Sequence, residues 1–132
     1  MEAEPINELH ESAMALRGVA FANTQFLRVV HTGQHLQAAV MSIPPDGEMG
    51  SRSDPGIDRL FAIIDGTAEA RVGELALALL PGDVVFVEAG KRHNLFNRAT
   101  IPLRLVSFSA PPALPDGTVW ATAADEPAGS VR

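Results

Sequence analysis

The chain contains no cysteine and no tyrosine. The first absence removes disulfides, thiolate metal sites and cysteine nucleophiles, and it fits a reducing compartment. The second removes the phenol as an acid–base group. Positive charge is also scarce: ten Lys and Arg face sixteen Asp and Glu, a formal net charge of −6. Nucleic-acid binders usually carry a basic face, so this balance argues against a nucleic-acid partner. No apolar run approaches the roughly 18 residues that a membrane helix needs. The acidic start, MEAEPINELHES, has no apolar stretch of the kind a secretory signal carries. These absences lead to the expectation of a cytoplasmic protein with neither a nucleic-acid nor a membrane partner.

What is present is a run of short apolar segments between turns. With 132 residues, one domain with one core is expected. Turn signals recur at Thr32-Gly33, Pro44-Pro45-Asp46-Gly47, Asp65-Gly66, Val72-Gly73, Pro81-Gly82-Asp83, Ala89-Gly90 and Pro115-Asp116-Gly117. Apolar runs at 26–30, 36–43, 60–64, 75–80, 84–87 and 103–108 lie between them. This spacing predicts an all-β sandwich or barrel. Asp65-Gly66 predicts a tight hairpin. A helix is expected over 6–16, with Gly18 as its stop. The tail after Trp120, rich in Ala, Asp, Glu, Pro and Gly, is expected to be mobile.

Period-two alternation assigns faces. Arg59, Phe61 and Ile63 share one face of their strand, and Asp58, Leu60, Ala62 and Ile64 share the other. After Gly90, the residues His93, Leu95 and Asn97 share a face. Near the first turn, His35, Gln37, Ala39 and Met41 would share one. There His35 reads as a surface turn residue and Gln37 as a polar pocket wall. The alternating leucines and alanines of 75–80 suggest a strand with one crowded face. No phosphate loop, dinucleotide fingerprint or nucleophile motif is present.

From Gly82 the chain reads GDVVFVEAGKRHNLFN. This resembles the second signature of the cupin superfamily: glycine, five residues, proline, one residue, glycine, two residues, histidine, three residues, asparagine. Gly82, Gly90, His93 and Asn97 fall on their marks, and Glu88 stands at the proline position. The segments HTGQHLQAAVMSIPPDGEMG and PGIDRLFAIIDG resemble the first half of a small single-domain cupin, and SAPPALPDGTV resembles part of its end. The likeness runs over residues 22–120, leaving an N-terminal extension (1–21) and the tail (121–132). It implies a double-stranded β-helix, a jelly-roll barrel with a central pocket. Such barrels expose sheet edges, so a homodimer is expected.

The resemblance also says where the chain departs from its family. The first signature ordinarily supplies two histidines and a carboxylate or glutamine as metal ligands. Their positions fall here on Arg52, Asp54 and Arg59, so of the usual set only His93 survives. Related cupins also carry histidines in the region where this chain has Leu114 and Trp120. A catalytic metal needs three or four His or carboxylate ligands, and His93 and Asp54 are the two on offer. Asp58, next to Arg59, should face the other way. A guanidinium about 4 Å from a divalent cation costs roughly 8 kcal/mol at an effective dielectric of about 20. The expectation is therefore a pocket with no metal cofactor; a divalent ion on His93 and Asp54 is the alternative.

A group that repels a cation attracts an anion. Arg59 directed inward suits a carboxylate, a phosphate or a developing enolate. His93 can move a proton, with Arg59 and burial both lowering its pKa. The expected catalytic group is His93, Arg59 and Asp54, with Arg52, Gln37, Phe61, Ile63, Leu95 and Asn97 contacting a small-molecule ligand. The expected activity is isomerisation, epimerisation or dehydration of a small anionic or polar metabolite. One alternative is a binding or sensing cupin without turnover. Another is a divalent-metal isomerase or oxygenase. The plainer readings are a solvated charged loop, an Arg59–Asp54 bridge that is merely structural, and a hydrogen-bonded core histidine beside Asn97. Phe61, Ile63, Phe86, Leu95 and Phe108 are residues more often found as plain core than as ligand contacts.

Overall fold

Strands with one apolar face need a second surface to bury it against, and this chain supplies two facing sheets. The computed structural model describes residues 2–127. It places one short helix, α1 (Leu16–Ala22), before nine strands. These are β1 (Leu27–Thr32), β2 (Gln37–Ile43), β3 (Asp58–Asp65), β4 (Ala68–Val72), β5 (Leu75–Leu79), β6 (Val84–Val87), β7 (His93–Phe96), β8 (Leu103–Ala110) and β9 (Val119–Trp120). Six form a sheet in the order β6-β3-β8-β2-β1-β9, and three form a second in the order β5-β4-β7. Every pairing between these strands is antiparallel. The core between the sheets is one apolar cluster containing Met41, Phe61, Ile63, Val72, Leu95 and Leu105. The all-β barrel expected from the sequence is the architecture found. Among the described residues, no helix is long and apolar enough to cross a membrane.

The face assignments for β3 and β7 hold. Arg59, Phe61 and Ile63 point inward, as do His93, Leu95 and Asn97, and all six are buried. Asp58 is exposed and accepts a hydrogen bond from the Ala89 N–H at 2.9 Å.

Several local expectations are corrected. The helix begins at Leu16, where the predicted one (6–16) ends, and Gly18 lies inside it. Residues 6–13 are exposed and turn back through a Leu9–Met14 bridge. Burial decides the location, because Val19 and Ala20 pack on Val40 and Val106 of the large sheet. Asp65-Gly66 closes no hairpin: β3 and β4 lie in different sheets. Gly66 has φ 80°, and a Cβ there would meet the Pro102 carbonyl at 2.8 Å, so glycine lets the chain cross over. The tight hairpin is at Gly73-Glu74, where Val72 pairs with Leu75. On β5, Leu75 and Leu77 are exposed, because the strand lies at a sheet edge. Phe86 is no core residue either; it is 72% exposed on the outer face of the edge strand β6.

The tail has local order as far as Glu126, although residues 121–125 are exposed. Thr122 and Asp125 form a capping box around a single 3-10 turn, Ala123–Asp125, and the Glu126 side chain is buried. Residues 128–132, on which the rest of the mobile-tail expectation falls, lie outside the described residues.

Candidate functional site

The loop before β3 and the start of β7 are stitched together. The Arg52 N–H donates to the His93 carbonyl at 3.0 Å, and the His93 N–H donates to the Arg52 carbonyl at 2.8 Å. The Asp54 carbonyl accepts from Gly90 at 3.0 Å and from Ile57 at 3.2 Å. Arg59 projects inward from β3. The strand alternation and these loop bonds together bring Arg52, Asp54, Arg59 and His93 to one end of the barrel. A cleft of about 270 Å³ opens there, lined by Arg52, Asp54, Ile57, Arg59, Leu114 and Trp120. A larger cleft of about 420 Å³ lies near the Asn97 end, but among the described residues Glu48 is its sole charged wall residue.

Two buried ion pairs dominate the electrostatics. Arg59 Nε donates to Asp54 Oδ2 at 3.0 Å, with both side chains almost fully buried. Arg52 Nη2 donates to Glu126 Oε2 at 2.6 Å. Breaking such a pair strands a charge at low dielectric, so each fixes its members tightly. Burial lowers the Arg59 pKa, and the neighbouring Asp54 carboxylate opposes that shift.

His93 lies one layer deeper, 3% exposed, with its ring 5.7 Å from that of Phe61. Its Nδ1 is 2.9 Å from the Lys91 carbonyl oxygen. A carbonyl can only accept, so this contact assigns the proton to Nδ1 and leaves Nε2 a bare lone pair. Nε2 is buried and has no hydrogen-bond partner among the described residues. Asp54 Oδ2 stands 3.9 Å from it, too far for a hydrogen bond. Burial lowers the His93 pKa. The Lys91 carbonyl and Asp54 oppose this, while Arg59 and Arg52 add smaller pushes downward. The direction is the one the sequence predicts, but desolvation leads and the arginine is secondary. The ring is neutral at neutral pH, so its contact with Asp54 is not an ion pair.

The donor set fits a metal poorly. Among the described residues no three His, Cys, Asp or Glu side chains converge. Asp54 already holds the Arg59 guanidinium on Oδ2.

The remaining candidates are placed apart from the cleft. Phe61, Ile63 and Leu95 belong to the core cluster, and the Phe61 ring is the one that neighbours the His93 ring. The Gln37 amide is fully engaged. It donates to Thr32 Oγ1 at 3.0 Å and to the Leu114 carbonyl at 2.9 Å, and it accepts from Ala113 at 3.2 Å and Leu114 at 3.0 Å. Gln37 therefore holds the loop that forms one cleft wall and does not itself line the cleft. Asn97 is a backbone staple at the far end of β7: Nδ2 donates to the carbonyls of Ile43 at 3.0 Å and Ile101 at 2.8 Å, and Oδ1 accepts from Ala99 at 3.0 Å. Both placements have one cause: a buried polar side chain on a strand face can serve a pocket or a neighbouring loop, and alternation does not separate the two. Sequence reasoning missed Glu126 altogether. The Thr122–Asp125 spacing was the available signal that the tail has local order.

Comparison with known proteins agrees with this architecture. A family profile described as Cupin domain matches residues 39–109. The protein YrkC of Bacillus subtilis is 31% identical over 109 residues, which are 78% of this chain and 59% of that protein. The crystal structure of BH2720 from Bacillus halodurans superposes with a TM-score of 0.85 at 27% identity, covering 90% of this chain and 96% of that one. TT1209 from Thermus thermophilus superposes with a TM-score of 0.62 at 25% identity, covering 64% and 81%.

Proposed function

Because the chain belongs to the cupin family, we propose that it uses the cleft at the His93 end of its barrel to bind a small anionic metabolite and to act on it by acid–base chemistry. One observation carries this reading. His93 Nε2 is a buried lone pair without a partner among the described residues, beside the Asp54–Arg59 pair. Arg59 donates to Asp54 through Nε, which leaves its terminal nitrogens for the cleft it lines. They would hold a carboxylate or a developing enolate. His93 Nε2 would take the proton, and the Asp54 carboxylate would stabilise the imidazolium that forms. Isomerisation, epimerisation and dehydration share this proton abstraction and differ in the fate of the resulting carbanion. The pocket works without a divalent metal in this reading, because an ion held by His93 and Asp54 would have to displace Arg59 from its carboxylate and then sit beside it.

A binding or sensing role without turnover is the second reading. It is favoured by the burial of His93, which lines no part of the open cleft. Solvent deuterium separates the two. Incubating the protein in D₂O with a panel of 2-keto and 3-hydroxy acids, and following each by proton NMR, is expected to show enzyme-dependent exchange in at least one. His93→Ala should slow it by about 10²- to 10⁴-fold. An exchange rate unchanged in His93→Ala would sink the catalytic role. Ligand-induced thermal stabilisation without exchange would select the second reading.

A further inference from the structure

Glu126 comes from the far end of the chain, yet its side chain is 2% exposed and its carboxylate sits on Arg52. The contact is one-pronged. Glu126 takes its bond from Arg52 Nη2, while Arg52 Nε is buried and has no partner among the described residues. Nε–H and Nη2 lie on one edge of the guanidinium, and that edge matches the two oxygens of a carboxylate in parallel. Glu126 does not complete the match, because its approach is fixed elsewhere. It follows Trp120 of β9 and the Thr122–Asp125 capping box, which set the course of this short strap.

We propose that the Nε–Nη2 edge of Arg52 is a subsite for a ligand's carboxylate, and that Glu126 occupies it as a built-in substitute until the ligand displaces it together with the strap at 121–126. The inference rests on the cleft being the anion site proposed above. Charge sets the ligand class. Arg52 and Arg59 are balanced by Glu126 and Asp54. A neutral ligand that expelled Glu126 would leave Arg52 buried and uncompensated. A small organic monocarboxylate exchanges one negative charge for another and also satisfies Nε. The cleft, about 270 Å³, admits such a molecule and lies below the range of drug-sized pockets.

Trp120 is the single tryptophan, is nearly buried, and lines the cleft at the root of the strap, so its fluorescence reports the strap's position. The full chain is titrated with lactate at constant ionic strength, with lactamide and inorganic phosphate as comparators. Lactate alone should red-shift the Trp120 emission. In Glu126→Gln the emission should already be red-shifted without ligand, and lactate should bind about tenfold tighter as the open state becomes dominant. Unchanged emission together with unchanged or weaker lactate affinity in that variant overturns the proposal, and phosphate acting as well as lactate overturns the carboxylate class. If Glu126→Gln does not fold, the wild-type titration decides, and a lactate response absent there overturns the proposal. Arg59→Gln keeps the two readings apart. Loss of lactate binding in Arg59→Gln, with no effect of Glu126→Gln, removes the strap and keeps the cleft; indifference to both removes both.

Discussion

The two ends of β7 are built from the same kinds of residue and do opposite things. At one end Asn97 makes three side-chain hydrogen bonds, all to backbone, and leaves no polar atom over. At the other end His93 makes one such bond and buries a lone pair that no described residue satisfies. Buried polar groups without partners are rare in folded proteins, and where they persist they need a reason beyond stability. Asn97 supports the fold, joining the turn after β2 to the turn before β8. His93, set against two ion pairs beside a cleft, would in the proposed function meet its partner in a bound ligand. The His93 backbone also serves the fold, because it exchanges two hydrogen bonds with Arg52.

The contrast can be broken from either side. Asp54→Ala should have the largest effect, because it strands Arg59 in the interior without a counter-charge. Urea unfolding should show a loss of about 3–5 kcal/mol, and binding at the cleft should fall with it. A loss of less than about 1 kcal/mol would mean that water already reaches Arg59, and the pair would then rank as a surface bridge. Asn97→Ala comes next. Three hydrogen bonds at about 1 kcal/mol each, lost from buried backbone partners, predict a loss near 3 kcal/mol. Lactate affinity should stay unchanged in this variant. A change in affinity would show that the Asn97 end is coupled to the cleft and that the two ends of β7 are not independent.

Legibility in the sequence divides along the same line. Period-two alternation puts Arg59 on one face with Phe61 and Ile63, the cupin resemblance turns that face inward, and the spacing of Gly82, Gly90, His93 and Asn97 carries that resemblance. Both are local patterns, readable within a few residues. For Gln37 and Asn97 the pattern shows burial but not the partners: Leu114 lies 77 residues from Gln37. Glu126 is a further case. Its partner Arg52 is 74 residues away, and the strap that carries it looks, by composition, like an unstructured tail. Helix α1 departs from its predicted span for a related reason. Propensity allows a helix on either side of Leu16, and contact with Val40 and Val106 selects the later one.

The pH dependence of stability is the mildest way to sharpen the comparison, and its sign is fixed by His93. Burial holds the folded-state pKa below the ordinary value of 6.5. Between that value and the lowered one, the unfolded chain binds a proton that the folded chain refuses. Stability therefore falls as the pH drops below about 6.5, with a slope of up to about 1.4 kcal/mol per pH unit from this one group. Above 6.5 the imidazole is neutral in both states and contributes no slope. Urea unfolding at pH 7.5, 6.5 and 5.5 should show the decline in the wild type, and His93→Asn should flatten it. Asn97→Ala should be less stable at every pH and keep the wild-type slope, because an amide does not titrate. A His93→Asn profile as steep as the wild type would assign the slope to other groups. The buried ring would then be protonated as readily as in water, and the lone pair that sets it apart from Asn97 would take its proton below pH 6.5 in the folded chain as in the unfolded one.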